Sequence, residues 1–156
     1  MRAYNSIKDL GLEVRVKQQI PKHELARIKE CLESKEPLIR RAAAYVLSEA
    51  LDPGTSDIVI SALSKEGNVD VSLLLVSAAA GLNDRRAVDH IVSLMRHHID
   101  NETVVLHSIL ALKHLKDRRA LPALLKLQEN FKYQCGWEHT KEILNNVITY
   151  LFEEGI

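Results

Sequence analysis

The sequence predicts an all-α protein, an α-solenoid of about four helix-pair repeats with atypical capping ends. Three observations support this fold class. A short motif recurs at a spacing typical of helix-pair repeats, and apolar residues recur at the spacing of one helix face. Gly and Pro number only 6 and 4 among 156 residues, so long irregular segments are not expected.

The recurring motif is an Asp-centred turn. Residues 84–88 (DRRAV) return 33 positions later as residues 117–121 (DRRAL), and Asp52 in residues 51–54 (LDPG) precedes Asp84 by 32 positions. Each Asp is placed to accept hydrogen bonds from free N–H groups where the next helix begins. The arginines can reach carboxylates or carbonyls of a neighbouring repeat. Helix capping is the simpler interpretation of this motif, and an anion site is the functional alternative.

Apolar stripes flank each turn. The upstream helices share the spacing i, i+4, i+7, i+8, i+11, with small residues in the middle that let helices approach closely. The downstream helices carry shorter apolar patches. The upstream positions are Ile39, Ala43, Val46, Leu47 and Ala50, then Val71, Leu75, Ala78, Ala79 and Leu82, then Val104, Ser108, Ala111, Leu112 and Leu115. The downstream positions are Val59, Ile60 and Leu63, then Ile91, Val92 and Met95, then Leu124 and Leu125, with Leu94 and Leu127 extending the face.

The pattern predicts a single domain over residues 1–156. Residues 1–36 form an N-terminal cap, residues 37–68, 69–101 and 102–134 form three repeats, and residues 135–156 form a C-terminal capping helix. Within the caps, helices are predicted over 21–34 and 138–152, because apolar residues recur there with helical spacing. Residues 1–20 fit either a short helix or a strand, so their form is left open.

Two segments carry a family resemblance. Residues 39–52 (IRRAAAYVLSEALD) and residues 117–125 (DRRALPALL) resemble the HEAT-like repeat family, in the short bacterial form also found in phycobilisome lyases. The resemblance covers residues 37–130. It implies a right-handed superhelical stack whose second helices line the concave side. It says little about function, since the family hosts binding scaffolds, some enzymes and inhibitors.

The concave side implied by this resemblance is the expected contact surface for a partner. Its exposed positions are polar and of mixed charge, which favours a protein segment with complementary charges, although a solvated face is the alternative. Arg96 is the strongest candidate because Arg is enriched at binding hot spots. The candidate partner-binding residues are Asp57, Ser61 and Lys65 in the first repeat, Asp89, His90, Ser93, Arg96 and His97 in the second, and Lys126 in the third, where Ala123 is expected to be exposed beside it.

An aromatic connection forms the second candidate contact site. Residues 131–137 (FKYQCGW) contain three of the seven Phe, Tyr and Trp residues in the chain. Aromatic side chains on such a loop either anchor an interface or seal the core of the last repeat. The two roles are compatible if Trp137 packs inward while Tyr133 stays exposed.

Charge and apolar patterning narrow the partner classes. Lys and Arg together number 21, as do Asp and Glu, and this balance argues against a dedicated nucleic-acid partner. No apolar run has the length of a membrane span and no signal peptide is evident, so a cytoplasmic protein with no membrane partner is expected. Cys31 and Cys135 are expected to be buried, reduced thiols.

Metal and catalytic patterns are weak. Seven histidines are present, but only His23 is followed by Glu, whereas the HEAT-like di-iron hydroxylase has such a pair in each repeat. Cys135 and His139 could supply two metal ligands without the third that zinc requires. His107 is expected to face partly inward as a core histidine. The sequence contains no nucleophile elbow, Walker loop or dinucleotide-binding motif.

Taken together, these patterns predict a non-enzymatic protein–protein interaction module with no cofactor and no metal. Such a chain would act as an adaptor or a small inhibitor, of the immunity-protein type if size is a guide, binding one partner through its concave face. The alternatives are a bilin-lyase-like chromophore factor and a HEAT-like nucleic-acid-processing protein.

Overall fold

A computed structural model describes residues 19–156. In that range 79% of the residues are helical, in eight α-helices and three short 3-10 turns, and there is no strand. The all-α prediction is therefore confirmed for this part of the chain. The choice between a helix and a strand near the N-terminus concerns mainly residues 1–18, which lie outside the described residues. None of the described helices combines the length and apolarity that crossing a membrane requires.

Contacts group the chain into two compact units, with the division between Asp84 and Arg85. This division falls inside the predicted second repeat, residues 69–101. The helix starts follow the predicted repeats closely, because the first helix of each repeat begins at Pro37, Val69 or Glu102.

The first unit contains α1 (Lys22–Leu32), α2 (Pro37–Ala50), α3 (Ser56–Lys65) and α4 (Val69–Gly81). Helix α2 packs against α1 and most extensively against α4, which also contacts α3. Local sequence explains the helix starts, since Pro37 occupies the first turn of α2 and the Asn68 side chain accepts a hydrogen bond from the Val71 N–H at the start of α4.

Small side chains dominate the buried faces of α2 and α4. Ala43, Ala44, Ala78 and Ala79 are completely buried. At the end of α4, a Cβ added to Gly81 would lie 2.5 Å from a methyl carbon of Leu51, so any larger residue there would displace the Leu51 side chain. Small residues thus permit the close helix approach that the sequence pattern predicted.

The second unit contains α5 (Val88–His97), α6 (Glu102–Leu115), α7 (Leu121–Phe131) and α8 (Glu138–Glu154). Helix α6 packs against α5 and α8, and α8 also packs against α7. Every position of the predicted α6 stripe is buried, from Val104 to Leu115. The stripes of α2 and α4 are buried as well, apart from their terminal members Ile39 and Leu82, which are partly exposed.

The predicted apolar stripe of α7 contains one wrong residue. Leu125 is exposed, whereas Ala123, expected at the surface, is buried. The buried stripe runs through Ala123, Leu127 and Phe131 at the four-residue spacing of one helix face. Ala123 thus takes the place beside Leu124 that the sequence pattern assigned to Leu125.

The same turn geometry occurs at all three Asp motifs. The residue before each Asp adopts a left-handed conformation, and a 3-10 turn follows each Asp. These left-handed residues are Leu51 (φ 48°), Asn83 (φ 54°) and Lys116 (φ 54°). A left-handed residue ends the preceding helix and redirects the chain into the next one. The sequence repeat is therefore also a repeat of local backbone geometry.

At two of the three motifs the Asp caps the 3-10 turn that leads into the next helix, whereas α3 and α7 themselves begin without a side-chain cap. The Asp52 and Asp117 carboxylates accept hydrogen bonds from the N–H groups of Gly54 and Arg119, each at 2.9 Å. At the third motif, Asp84 accepts a hydrogen bond from the Ser56 hydroxyl at 2.9 Å. The carboxylates thus serve intramolecular bonding, which supports the structural interpretation over an anion site.

The arginines after Asp117 reach neighbouring carbonyls, as predicted. Arg119 donates to the Arg85 carbonyl at 2.9 Å, and Arg118 donates to the Phe152 carbonyl at 2.8 Å near the end of α8. Arg119 also binds the Asp117 carboxylate through its side chain, and this hydrogen bond holds the pKa of Asp117 below its ordinary value. These contacts connect the Asp117 motif to α8 and to the turn before α5.

Ser108 is a polar exception inside the α6 stripe. Its side chain is completely buried, and its hydroxyl oxygen has no hydrogen-bond partner in the described structure. We expect Ser108→Ala to raise the free energy of unfolding by about 1 kcal/mol, because it removes a buried hydroxyl that no bond satisfies. Urea unfolding measures this. Ser77→Ala is the control, since the exposed Ser77 hydroxyl already donates to Leu73. A loss of stability in Ser108→Ala would contradict the assignment.

Candidate partner-binding site

A groove of about 470 Å³ lies in the first unit between α1 and α3. Residues near the end of α1 form one wall, α3 forms the other along its length, and Arg40 of α2 reaches the groove beside the α3–α4 connection. Its lining residues are Lys29, Leu32, Glu33, Arg40, Asp57, Ile58, Ser61, Ala62, Lys65, Glu66 and Gly67. The volume is within the range of cavities that bind ligands or side chains of a partner.

The three candidate residues of the first repeat all line this groove. Asp57, Ser61 and Lys65 follow one another at four-residue intervals, so they share one face of α3, and each is exposed. Between them, Ile58 and Ala62 are only partly exposed and give the groove an apolar component. The α3 wall thus has polar residues toward solvent and apolar residues toward the interior.

The α1 wall was not among the candidates. Lys29, Leu32 and Glu33 come from the segment assigned to the N-terminal cap, in which the sequence predicted a helix over residues 21–34. In the structure Ile28 is completely buried, whereas Leu32 is partly exposed to the groove. Spacing along α1 could have suggested this, because Lys29 and Glu33 lie four residues apart on a single face.

Two of the lining residues, Arg40 and Glu66, form an ion pair. The Arg40 guanidinium donates two hydrogen bonds of 2.9 Å to the two carboxylate oxygens of Glu66, and it also donates to the Ser34 carbonyl at 2.8 Å. Side-chain exposure is 18% for Arg40 and 4% for Glu66. This two-pronged geometry fixes the α3–α4 connection against the start of α2.

The same ion pair shifts both pKa values. Burial raises the pKa of Glu66, but the hydrogen bonds from Arg40 and from the N–H groups of Asn68 and Gly67 outweigh it, so the pKa lies below its ordinary value. The hydrogen bond to Glu66 raises the pKa of Arg40. Both groups are therefore charged at neutral pH.

Five candidates lie on α5 in the second unit. Asp89, Ser93, Arg96 and His97 are exposed, and His90 is partly exposed. The His97 ring nitrogen Nδ1 lies 2.8 Å from the Ser93 carbonyl oxygen, which orients the ring along the helix. Asp89 lies 3.8 Å from the Arg119 guanidinium, a long contact between exposed groups. Arg96 therefore offers an accessible cation on this face, as the sequence predicted.

The remaining candidates lie on α7 and in the loop after it. Lys126 is exposed, and Tyr133 is 86% exposed. Trp137 instead packs edge-on against Phe131, with ring centroids 5.4 Å apart and planes at 85°. Trp137 therefore covers the end of α7 while Tyr133 projects to solvent, which is the arrangement in which the two roles are compatible.

Two expectations about isolated residues are wrong. His107 is exposed, with its ring nitrogen Nδ1 2.8 Å from the Thr103 carbonyl oxygen, so it is no core histidine. Cys135 is exposed, and Cys31 is partly exposed, so neither thiol is buried as predicted. Cys135 sits in the loop between α7 and α8, where few neighbours cover it.

Among residues 19–156, no three His, Cys, Asp or Glu side chains lie close enough together to hold a metal ion. Comparison with known proteins adds no family, since no protein-family model and no curated protein matches the sequence. The HEAT-like resemblance therefore stays a prediction from the sequence.

Proposed function

We propose that this chain is a non-enzymatic protein-binding module, an adaptor or small inhibitor, that binds one partner through the concave face of a right-handed stack of HEAT-like helix pairs. The groove between α1 and α3 is the observation that supports this most. It is lined by three residues proposed as partner contacts on independent grounds, Asp57, Ser61 and Lys65.

The composition of the groove supports a polypeptide partner. Leu32, Ile58 and Ala62 are partly exposed apolar residues, and charged side chains surround them. An apolar centre with a polar rim is the usual arrangement of protein interfaces. A peptide side chain can bury apolar surface in such a groove while its backbone and flanking groups contact the rim.

The recurring turns support the HEAT-like stack. Three helix pairs share the left-handed residue, the Asp and the 3-10 turn at a spacing of 32 or 33 residues. Hydrogen bonds also link positions one repeat apart within a unit, as from the Ile20 N–H to the Asp52 carboxylate at 3.1 Å. In a stack of such pairs, the second helices α3, α5 and α7 would share one side.

The test is affinity capture of the tagged protein from its native lysate, beside an Arg96→Glu/His97→Ala variant. We expect one stoichiometric protein partner, retained by the unchanged chain and lost by the variant, because Arg is enriched among the hot-spot residues that each contribute about 2 kcal/mol or more. Both residues are exposed, so helicity and the melting temperature should not change.

Lys113→Glu/His114→Ala is the matched control, since it makes the same kind of change at two exposed positions of α6, a first helix. It should retain the partner. Capture that survives the Arg96→Glu/His97→Ala change would exclude the α5 face. If no protein is retained, while a tetrapyrrole or duplex DNA binds, the module proposal fails in favour of a chromophore or nucleic-acid factor.

A further inference from the structure

The charges that line the α1–α3 groove are unequally compensated. Glu66 is neutralised by Arg40 through two hydrogen bonds of 2.9 Å. Asp57 is engaged in an interaction of its own. Two of the three carboxylates in the groove are thus already occupied within the protein.

The lysines of the groove are in the opposite situation. Lys29 on α1 and Lys65 on α3 are both exposed, and neither has a carboxylate within ion-pair distance among residues 19–156. Among the lining carboxylates, Glu33 likewise has no ion-pair partner within residues 19–156. Lys29, Lys65 and Glu33 are thus the charged lining residues without such a partner in the described part of the chain, which leaves one more cation than carboxylate available to a ligand, although the six charged lining residues sum to zero.

We propose that the occupant of this groove is an acidic segment of the partner polypeptide. An apolar side chain of the segment rests on Leu32, Ile58 and Ala62, and its carboxylates face Lys29 and Lys65. This inference rests on the proposed function and adds the chemistry of the partner. Charge complementarity of this kind contributes mainly to specificity and to the association rate.

Two features favour a peptide over a phosphate-bearing ligand. Arg40, the one arginine of the lining, has its guanidinium committed to Glu66 and to the Ser34 carbonyl, so no free planar donor remains for a phosphate. The partly exposed apolar residues would also have no role in binding a nucleic-acid backbone, whereas a peptide side chain would cover them.

The test is selection of a random peptide library on the intact chain, with circular dichroism to verify the fold of each variant. We expect the enriched peptides to combine Asp or Glu with an apolar residue. Their affinity should fall at least about tenfold in Lys29→Glu/Lys65→Glu, because two attractive contacts become repulsive. It should also weaken as salt is raised.

Two matched variants make the result specific. Lys29→Arg/Lys65→Arg keeps both charges and should bind within about threefold of the unchanged chain. Lys22→Glu/Lys35→Glu makes the same charge reversal at exposed positions outside the groove lining and should leave binding unchanged. Enrichment of neutral or basic peptides, no enrichment at all, or acidic peptides that bind the Lys29→Glu/Lys65→Glu variant normally would each overturn the proposal.

The native partner separates this inference from the proposed function. A captured protein that is lost with Arg96→Glu/His97→Ala but retained by Lys29→Glu/Lys65→Glu would leave the binding module intact and remove the acidic occupant. Binding of duplex DNA that is lost in Lys29→Glu/Lys65→Glu would assign the groove to a nucleic acid and overturn the peptide proposal.

Discussion

Leu112→Asp is expected to unfold the second unit under conditions in which the unchanged protein is stable. Leu112 is completely buried in α6, the helix that packs against both α5 and α8. Removing a buried Leu side chain alone costs about 2–5 kcal/mol, and an unpaired carboxylate at the same place adds the cost of removing a charge from water. We therefore expect a loss of more than about 4 kcal/mol, a large part of the 5–15 kcal/mol typical of a domain.

Leu110→Asp is the matched control, because Leu110 lies on the same helix with 44% of its surface exposed. It should change the free energy of unfolding by no more than about 0.5 kcal/mol. Thermal and urea unfolding followed by circular dichroism compare the two variants. Equal melting temperatures for Leu112→Asp and the unchanged chain would show that the register of α6 is wrong.

The recurring turns could be predicted because their determinants are local. An Asp cap, a following 3-10 turn and an apolar stripe all depend on residues within one helix turn of each other. The sequence pattern therefore located Asp52 and Asp117 as caps and the starts of the repeat helices. It also predicted that the arginines after each Asp reach carboxylates or carbonyls of a neighbouring repeat, and Arg118 and Arg119 bond to such carbonyls.

The prediction of the buried face of α7 was wrong at Leu125 because two adjacent leucines could both have belonged to that face. Leu124 and Leu125 both fit an apolar pair in sequence, and the small size of Ala123 gave no sign that it would take the buried place. The expectation for His107 failed for a related reason, since it ignored that an imidazole can turn to solvent and bond to the Thr103 carbonyl.

Only the α3 wall of the groove was predicted from the sequence. The α3 residues follow the repeat, so their exposure could be inferred from spacing. The α1 wall lies outside the repeat, and the Arg40–Glu66 pair joins positions 26 residues apart. No periodicity in the sequence connects two such residues, because their contact depends on how α2 and the α3–α4 connection pack together.

That pair leads to a pH-dependent expectation. Hydrogen bonds lower the pKa of Glu66 below the ordinary value of 4.5 despite its burial, so the carboxylate is more easily deprotonated in the folded chain than in the unfolded chain. The pair therefore contributes its full stability above about pH 4.5, and this contribution is lost as the pH falls through the folded pKa. Protonation removes the attraction to Arg40 and one of the hydrogen-bond acceptors.

Arg40→Met should accordingly destabilise the first unit by about 3 kcal/mol at pH 7, because it leaves the Glu66 carboxylate buried without its cation. Urea unfolding at pH 7 and at a series of decreasing pH values below 4.5 measures this, and the deficit should shrink as the pH falls through the folded pKa of Glu66. Arg41→Met, an exposed neighbour, is the control and should have little effect at either pH. A deficit that stays constant with pH would mean that Arg40 stabilises the fold through its bonds to the Ser34 and Lys35 carbonyls and not through Glu66.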